Sequence, residues 1–114
     1  MEPIAPNELR GHLETVVLSV LASGRAHGYE IMQRIDQRGE GALEMKEGSL
    51  YPVLYRLEAA GYLASEWEKD DVPRKGPRRR QYWLTKSGTR ELDRRRDRWR
   101  SFVTILGNLV EGTT

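Results

Sequence analysis

Apolar residues along this chain recur first with the period of a helix and then with that of a strand. Leu9, Leu13, Val16, Val17, Val20 and Leu21 fall at i, i+4, i+7, i+8, i+11 and i+12, which is one stripe of an α-helix. Asn7 before Glu8 supplies its start and Gly24 its stop. A second, shorter helix is predicted from about Gly28 to Arg38, with Tyr29, Met32 and Ile35 on its buried face and Gly39 and Gly41 at its end. Ser49 is placed to cap a third, with Pro52 in the first turn, where its missing N–H is not required. Leu50, Val53, Leu54 and Leu57 make that helix's buried face, Tyr51, Tyr55 and Arg56 its outer face, and Gly61 its end. Three short helices with a tight connection between the second and third fit a helix-turn-helix.

After Gly61 the period changes to two. Leu63, Ser65 and Trp67 alternate with Ala64, Glu66 and Glu68, and Tyr82 and Leu84 with Gln81 and Trp83, so both stretches read as strands. The stretch 69–80 between them, with two prolines, a glycine and dense charge, reads as a hairpin loop. A hairpin attached to a helix-turn-helix is the winged-helix layout. Thr85 then caps a last helix from about Lys86 to Val110, on which Leu92, Trp99, Phe102, Leu106 and Leu109 take heptad positions a, a, d, a and d, with Arg95 at the missing d. Little core is left for so apolar a helix to cover, and a second copy of the chain accounts for the stripe. The expected fold class is mostly α with a small β-hairpin: a winged helix-turn-helix domain over 1–85, and a C-terminal dimerisation helix over 86–114 that completes one compact unit.

Composition narrows the function. The 114 residues suit a single domain. With no cysteine there is no disulfide, thiolate nucleophile or Cys-containing zinc site. The absence of a long apolar run or a leader pattern at the start points to the cytoplasm. The net charge of +2 conceals an asymmetry. Residues 1–68 carry 6 basic and 11 acidic side chains, whereas residues 69–100 carry 13 basic and 5 acidic. A basic block beside an acidic one points to a polyanionic partner for part of the surface.

DNA binding must neutralise phosphates, and Arg74, Lys75, Arg78, Arg79 and Arg80 stand on the hairpin, where arginine forks suit the backbone or the minor groove. On the third helix Lys46, Ser49, Tyr51, Pro52, Tyr55 and Arg56 offer a cation, hydroxyls and groups that reach base edges. The plainer readings are a solvated basic loop and packed tyrosines, with Tyr29 placed in the core. Arg94, Arg95, Arg96, Arg98 and Arg100 read as a solvated face, salt-bridged by Asp93 and Asp97. Catalysis finds little support. His12 and His27 lie on different elements without a spaced carboxylate pair for a metal, and His27 reads as a capping or core residue. Gly39-Glu40-Gly41 lacks the further glycine of a dinucleotide fingerprint. No cofactor is expected.

Five segments together are more specific. Gly11-His12-Leu13-Glu14, His27-Gly28-Tyr29-Glu30-Ile31, the run from Glu47 to Glu58 (Glu-Gly-Ser-Leu-Tyr-Pro-Val-Leu-Tyr-Arg-Leu-Glu), Gly61-Tyr62-Leu63, and Tyr82-Trp83-Leu84-Thr85 with Gly88 match in order the signature of PadR-family transcriptional regulators. The chain resembles that family from Leu9 to Leu92, in its short form without an extra C-terminal domain. The resemblance implies a winged helix whose third helix enters the DNA major groove. It also implies a dimer built by the long last helix with the N-terminal one, hence by Leu9, Leu13, Leu92, Trp99, Phe102, Leu106 and Leu109. Trp99 either fills the centre of that dimer or, as in family members that sense flat aromatic drugs, stacks on a small aromatic effector. The expected function is sequence-specific transcriptional regulation by a homodimer on an inverted-repeat operator in double-stranded DNA, as a ligand-responsive repressor. The competing reading is a winged-helix module that docks a protein and has no specific DNA site.

Overall fold

The computed structural model describes residues 2–69, 76 and 78–112. Its centre is α1 (Leu13–Leu21), whose Val17 and Leu18 are wholly enclosed and whose Val20 and Leu21 are nearly so. The stripe from Leu9 to Leu21 is not one helix. Pro6–Leu9 forms a single 3-10 turn, and the chain reverses at Gly11 with φ +85°, a left-handed conformation that a Cβ makes costly. Leu9 and Leu13 remain half-buried on either side of that reversal.

Around α1 pack α2 (Gly28–Arg38), α3 (Glu47–Ala59), α4 (Lys86–Glu111) and a small sheet. On α3 the predicted stripe is the buried one, with Leu50, Val53, Leu54 and Leu57 each at most 1% exposed. Burying one such leucine contributes about 1.5–3 kcal/mol. On α2 the buried residues are Gly28, Ile31 and Ile35, an i, i+3, i+7 set that keeps Ile35 of the expected face but replaces Tyr29 and Met32 by the residue before each. Tyr29 is therefore 62% exposed rather than in the core. A helix turns 100° per residue, so one step of phase carries a side chain from the core to the rim.

The sheet has three strands in the order β1-β3-β2, built from β1 (Ala26–His27), β2 (Leu63–Trp67) and β3 (Arg80–Leu84), all antiparallel. The hairpin β2–β3 has the expected register, Leu63 facing Leu84 and Trp67 facing Arg80. The two-residue β1, too short to show a period, adds Ala26 opposite Tyr82 and His27 opposite Gln81. It joins the start of α2 directly to the wing.

α4 begins where its cap requires, with the Gly88 N–H donating to Thr85 Oγ1 at 3.0 Å. Only its first two turns are buried, at Gly88, Glu91 and Leu92. Leu92 is 2% exposed and belongs to the three-helix core, so it presents no surface to a partner and is removed from the expected dimer contacts. Gly88 is where the helix touches the body most closely: a Cβ there would lie 2.9 Å from the Tyr62 carbonyl carbon and nearer still to its oxygen. That same oxygen accepts from the Thr85 N–H at 3.1 Å.

The arginines of α4 are paired chiefly through Glu91, and Asp97 takes Arg100 at 2.9 Å. Arg94 grips Glu91 with two bonds of 2.8 and 2.6 Å, and Arg95 Nε adds a third of 2.6 Å. Arg95 also lies 3.6 Å from Glu14 of α1, and Arg96 donates to Ser19 Oγ at 3.1 Å. The Arg94 hydrogen bonds, assisted by Arg95 and opposed by burial, pull the Glu91 carboxyl from 4.5 down to about 2.

Gly88→Ala is expected to destabilise the fold by about 2 kcal/mol or more in urea denaturation, because backbone, not a side-chain tip, stands in the way; an unchanged midpoint would show that α4 can ride over the methyl. A depressed acid stabilises above its unfolded pKa, so the contribution of Glu91 should be complete above about pH 5 and fade as the pH falls toward about 2. Glu91→Gln should lower stability at pH 7 by of order 2 kcal/mol and flatten this acid limb. Parallel pH–stability curves for the two proteins would refute the assignment.

Candidate nucleic-acid interface

The outward face of α3 is what its apolar stripe leaves over. Lys46, Ser49, Tyr51, Pro52, Tyr55 and Arg56 are all exposed on it or just ahead of it, opposite Leu50, Val53, Leu54 and Leu57. The helix starts earlier than predicted. Lys46, in extended conformation, is the N-cap, and its carbonyl accepts from the Ser49 and Leu50 N–H groups at 3.0 Å each. Ser49 is thus the third helical residue and not the cap, and Pro52 stands one turn deeper, inside the helix. Its missing N–H falls opposite Gly48, on the exposed side of the helix. Arg56 leans back toward α1, with Nε 3.8 Å from Glu14 Oε2.

On the wing, Arg74 and Lys75 lie outside the described residues. Glu68 N–H donates to the Arg79 carbonyl at 2.7 Å and closes the hairpin stem. Arg78 and Arg79 are exposed. The Arg78 guanidinium stands 5.7 Å from the centre of the Trp67 ring, within range of a cation–π contact, and Arg79 Nη1 lies 2.8 Å from His27 Nε2. Arg80 is bound differently. Its Nε donates to Ser65 Oγ at 2.7 Å, its Nη2 lies 3.6 Å from Glu58 Oε2, and its guanidinium packs 5.2 Å from the Trp67 ring centre. Ser65 in turn donates to Glu58 at 2.7 Å. Arg80 therefore stitches the hairpin to the last turns of α3, whereas Arg78 and Arg79 extend past that stitch.

A cleft of about 510 Å³ opens between the start of α2, the middle of α3 and the wing, lined by Tyr51, Arg78 and Arg79 together with His27, Gly28, Tyr29, Trp67 and Tyr82. His27 caps α2 by accepting from the Glu30 N–H at 3.4 Å and is buried, while Tyr29 stacks against it with centroids 6.5 Å apart. Burial of the Tyr82 phenol, which also lines the cleft, raises its pKa above the ordinary value. Trp67, Gly28 and Glu58 were not expected in this region. The alternation that assigns β2 does not tell that Trp67, at the strand end, is half-exposed beneath two guanidinium groups. The cleft is chemically a basic, aromatic-floored trough with hydroxyls on one wall, suited to a polyanion that also presents flat rings.

The far half of α4 is apolar and uncovered. Trp99, Phe102, Val103, Ile105, Leu106, Leu109 and Val110 are between 43% and 75% exposed, a larger patch than scattered surface residues make. His12 meets Trp99 edge-on at 5.5 Å, and Phe102 stacks on Trp99 at 6.0 Å. Beside Trp99 a groove of about 630 Å³ runs along α1, lined by Leu9, Val16, Val20, Ile35 and Leu43. Among the described residues no cluster of three or more His, Cys, Asp or Glu could hold a metal ion, and no helix is long and apolar enough to cross a membrane.

Comparison with known proteins agrees with the geometry. The profile of the transcriptional regulator PadR-like family matches residues 17–94. An uncharacterised protein of Lysinibacillus sphaericus is 31% identical over 104 residues, which is 91% of this chain and 93% of that protein. A transcriptional regulator from Clostridium thermocellum superposes with a TM-score of 0.82 at 28% identity, over 91% of this chain and 98% of that one. A PadR family transcriptional regulator from Eggerthella lenta does so with a TM-score of 0.79 at 31% identity, over 94% and 88%. With the winged helix, the exposed face of α3 and the basic hairpin beside it, the chain belongs to the PadR-like family of DNA-binding transcriptional regulators.

Proposed function

We propose that this chain is a homodimeric repressor that reads an inverted-repeat operator, with α3 in the major groove and the wing on the flanking backbone. The observation that carries the reading is the shared cleft, in which Tyr51 of the helix and Arg78 and Arg79 of the hairpin line one trough. A helix face and an arginine-bearing wing that converge in this way contact one strand of a duplex together. Lys46, Ser49, Pro52, Tyr55 and Arg56 extend the helix side of this surface, and Arg74 and Lys75, outside the described residues, add two cations to the same 69–80 stretch of the sequence. Arg80, held by Ser65 and Glu58, aligns the wing with α3 and has less of its guanidinium left for phosphate.

The apolar half of α4 supports the dimer. Trp99, Phe102, Leu106 and Leu109, with Leu9 at the neighbouring groove and Leu13 at the start of α1, form the seam, and Trp99 fills its centre. A small aromatic effector that inserts at Trp99 would act by altering that seam, and hence the separation of the two α3 helices.

Duplexes enriched by the wild-type protein from a random pool should contain two half-sites about one turn, roughly 10 bp, apart. The affinity for such a duplex should fall steeply with salt, and Arg79→Ala should reduce the slope of log K against log salt by about 0.9. An unaltered slope would take Arg79 off the phosphates, and a pool without enrichment would favour the protein-docking reading. Sedimentation equilibrium at micromolar concentration should give twice the 13.2 kDa chain mass. Leu106→Glu should yield a folded monomer that no longer prefers the paired half-sites. A Leu106→Glu protein that remains dimeric would move the seam elsewhere.

A further inference from the structure

Gly28 is the first residue of α2, and its backbone is not in the left-handed region that demands glycine. A helix start accepts most residues, and glycine is among the poorer helix formers. What distinguishes this position is its neighbour. The Tyr51 phenol of α3 lies directly across Gly28: a Cβ at 28 would stand 2.9 Å from Tyr51 Cζ and 3.4 Å from Cε1, and nearer still to Oη. The bare Cα is therefore the seat of the ring. Tyr51 is 45% exposed and its ring lines the cleft beside Arg78 and Arg79, so the seat decides where a DNA-facing hydroxyl stands.

We propose that Gly28 is a positioning residue for DNA recognition: by lacking a side chain it holds the Tyr51 phenol at a fixed height and angle above the cleft. This rests on the reading of α3 as the recognition helix. A long side chain from a helix samples several rotamers unless packing holds one, and each places Oη differently against a duplex. The glycine removes the obstacle that would force another rotamer. The obstruction in a Gly28→Ala protein would be the far end of a side chain, which swings aside cheaply. The expected outcome is thus a folded protein with a misplaced tyrosine, the reverse of Gly88→Ala, where backbone is met.

The test is a double-mutant cycle read on the duplex selected by the wild-type protein and on a random-sequence duplex of equal length. Tyr51→Ala should weaken binding to the selected duplex by roughly tenfold or more, the size of a lost base-edge contact. Gly28→Ala should weaken it comparably while melting within a few degrees of wild type. The double variant should be no weaker than Tyr51→Ala alone, and binding to the random duplex should hardly change in any of them. Losses from the two substitutions that multiply would overturn the proposal, as would wild-type affinity in Gly28→Ala. Wild-type affinity in Tyr51→Ala would instead sink the placement of Tyr51 on DNA, and with it the need for a seat. Should Gly28→Ala fail to fold, restoration of folding by the added Tyr51→Ala would support the seat, and persistent misfolding of the double variant would refute it.

Discussion

The need to bury the inner face of α1 organises this molecule. Its nine residues carry Val17 and Leu18 with no exposure at all, while Val16 and Ser19 on its flank stay half-buried at the groove beside Trp99. Each neighbouring element supplies an apolar face to it: Ile31 and Ile35 from α2, Leu50, Val53, Leu54 and Leu57 from α3, Leu63 and Tyr82 from the sheet, and Leu92 from α4. The elements that reach outward do so only from the faces left after that burial. The outer face of α3, the wing and the free half of α4 are thus fixed relative to one another by a common buried partner.

Charge plays a second and less visible part. The net +2 of the chain is a cancellation, and much of the basic excess is engaged within the fold. Arg34 donates to the carbonyls of Val20, Gly24 and Arg25 at the end of α1. Arg94 and Arg95 are bonded to Glu91, Arg96 to Ser19, and Arg80 to Ser65 and Glu58. Glu14 stands between Arg95 of α4 and Arg56 of α3. A count of cations along the chain therefore overstates what faces a polyanion; Arg78 and Arg79 have contacts of their own, with Trp67 and His27, but both line the cleft shared with α3.

Where a local rule decides the structure, the sequence was readable. The stripe on α3 follows from its 3.6-residue period, and the start of α4 from one hydroxyl and one N–H. Where a choice between neighbours decides, the residues themselves were ambiguous. Serine caps better than lysine, yet the extended backbone at Lys46 begins the helix three residues before Ser49. The buried face of α2 includes Gly28, which carries no hydrophobic weight in a pattern, so the pattern favours Tyr29, which the fold leaves exposed. Gly11 next to a histidine gives no sign that the chain reverses there. Of the site, the exposed face of α3 and the basic hairpin could be read directly, but pairings such as Arg80 with Glu58 or Arg79 with His27 join residues 22 and 52 positions apart, and no local spacing encodes them.

The free half of α4 has a consequence for how such chains vary. Beyond Leu92 the helix runs on unbroken to Glu111, about 28 Å of rigid rod at 1.5 Å per residue. Inserting one residue into a rod turns everything after it by about 100°, whereas inserting seven turns it by only about 20°. Only the start of this rod is fixed, to the body that bears α3, so its length is quantised in effect: a single insertion or deletion between Leu92 and Trp99 swings the apolar stripe to another side of that body, while changes in steps of seven preserve its direction.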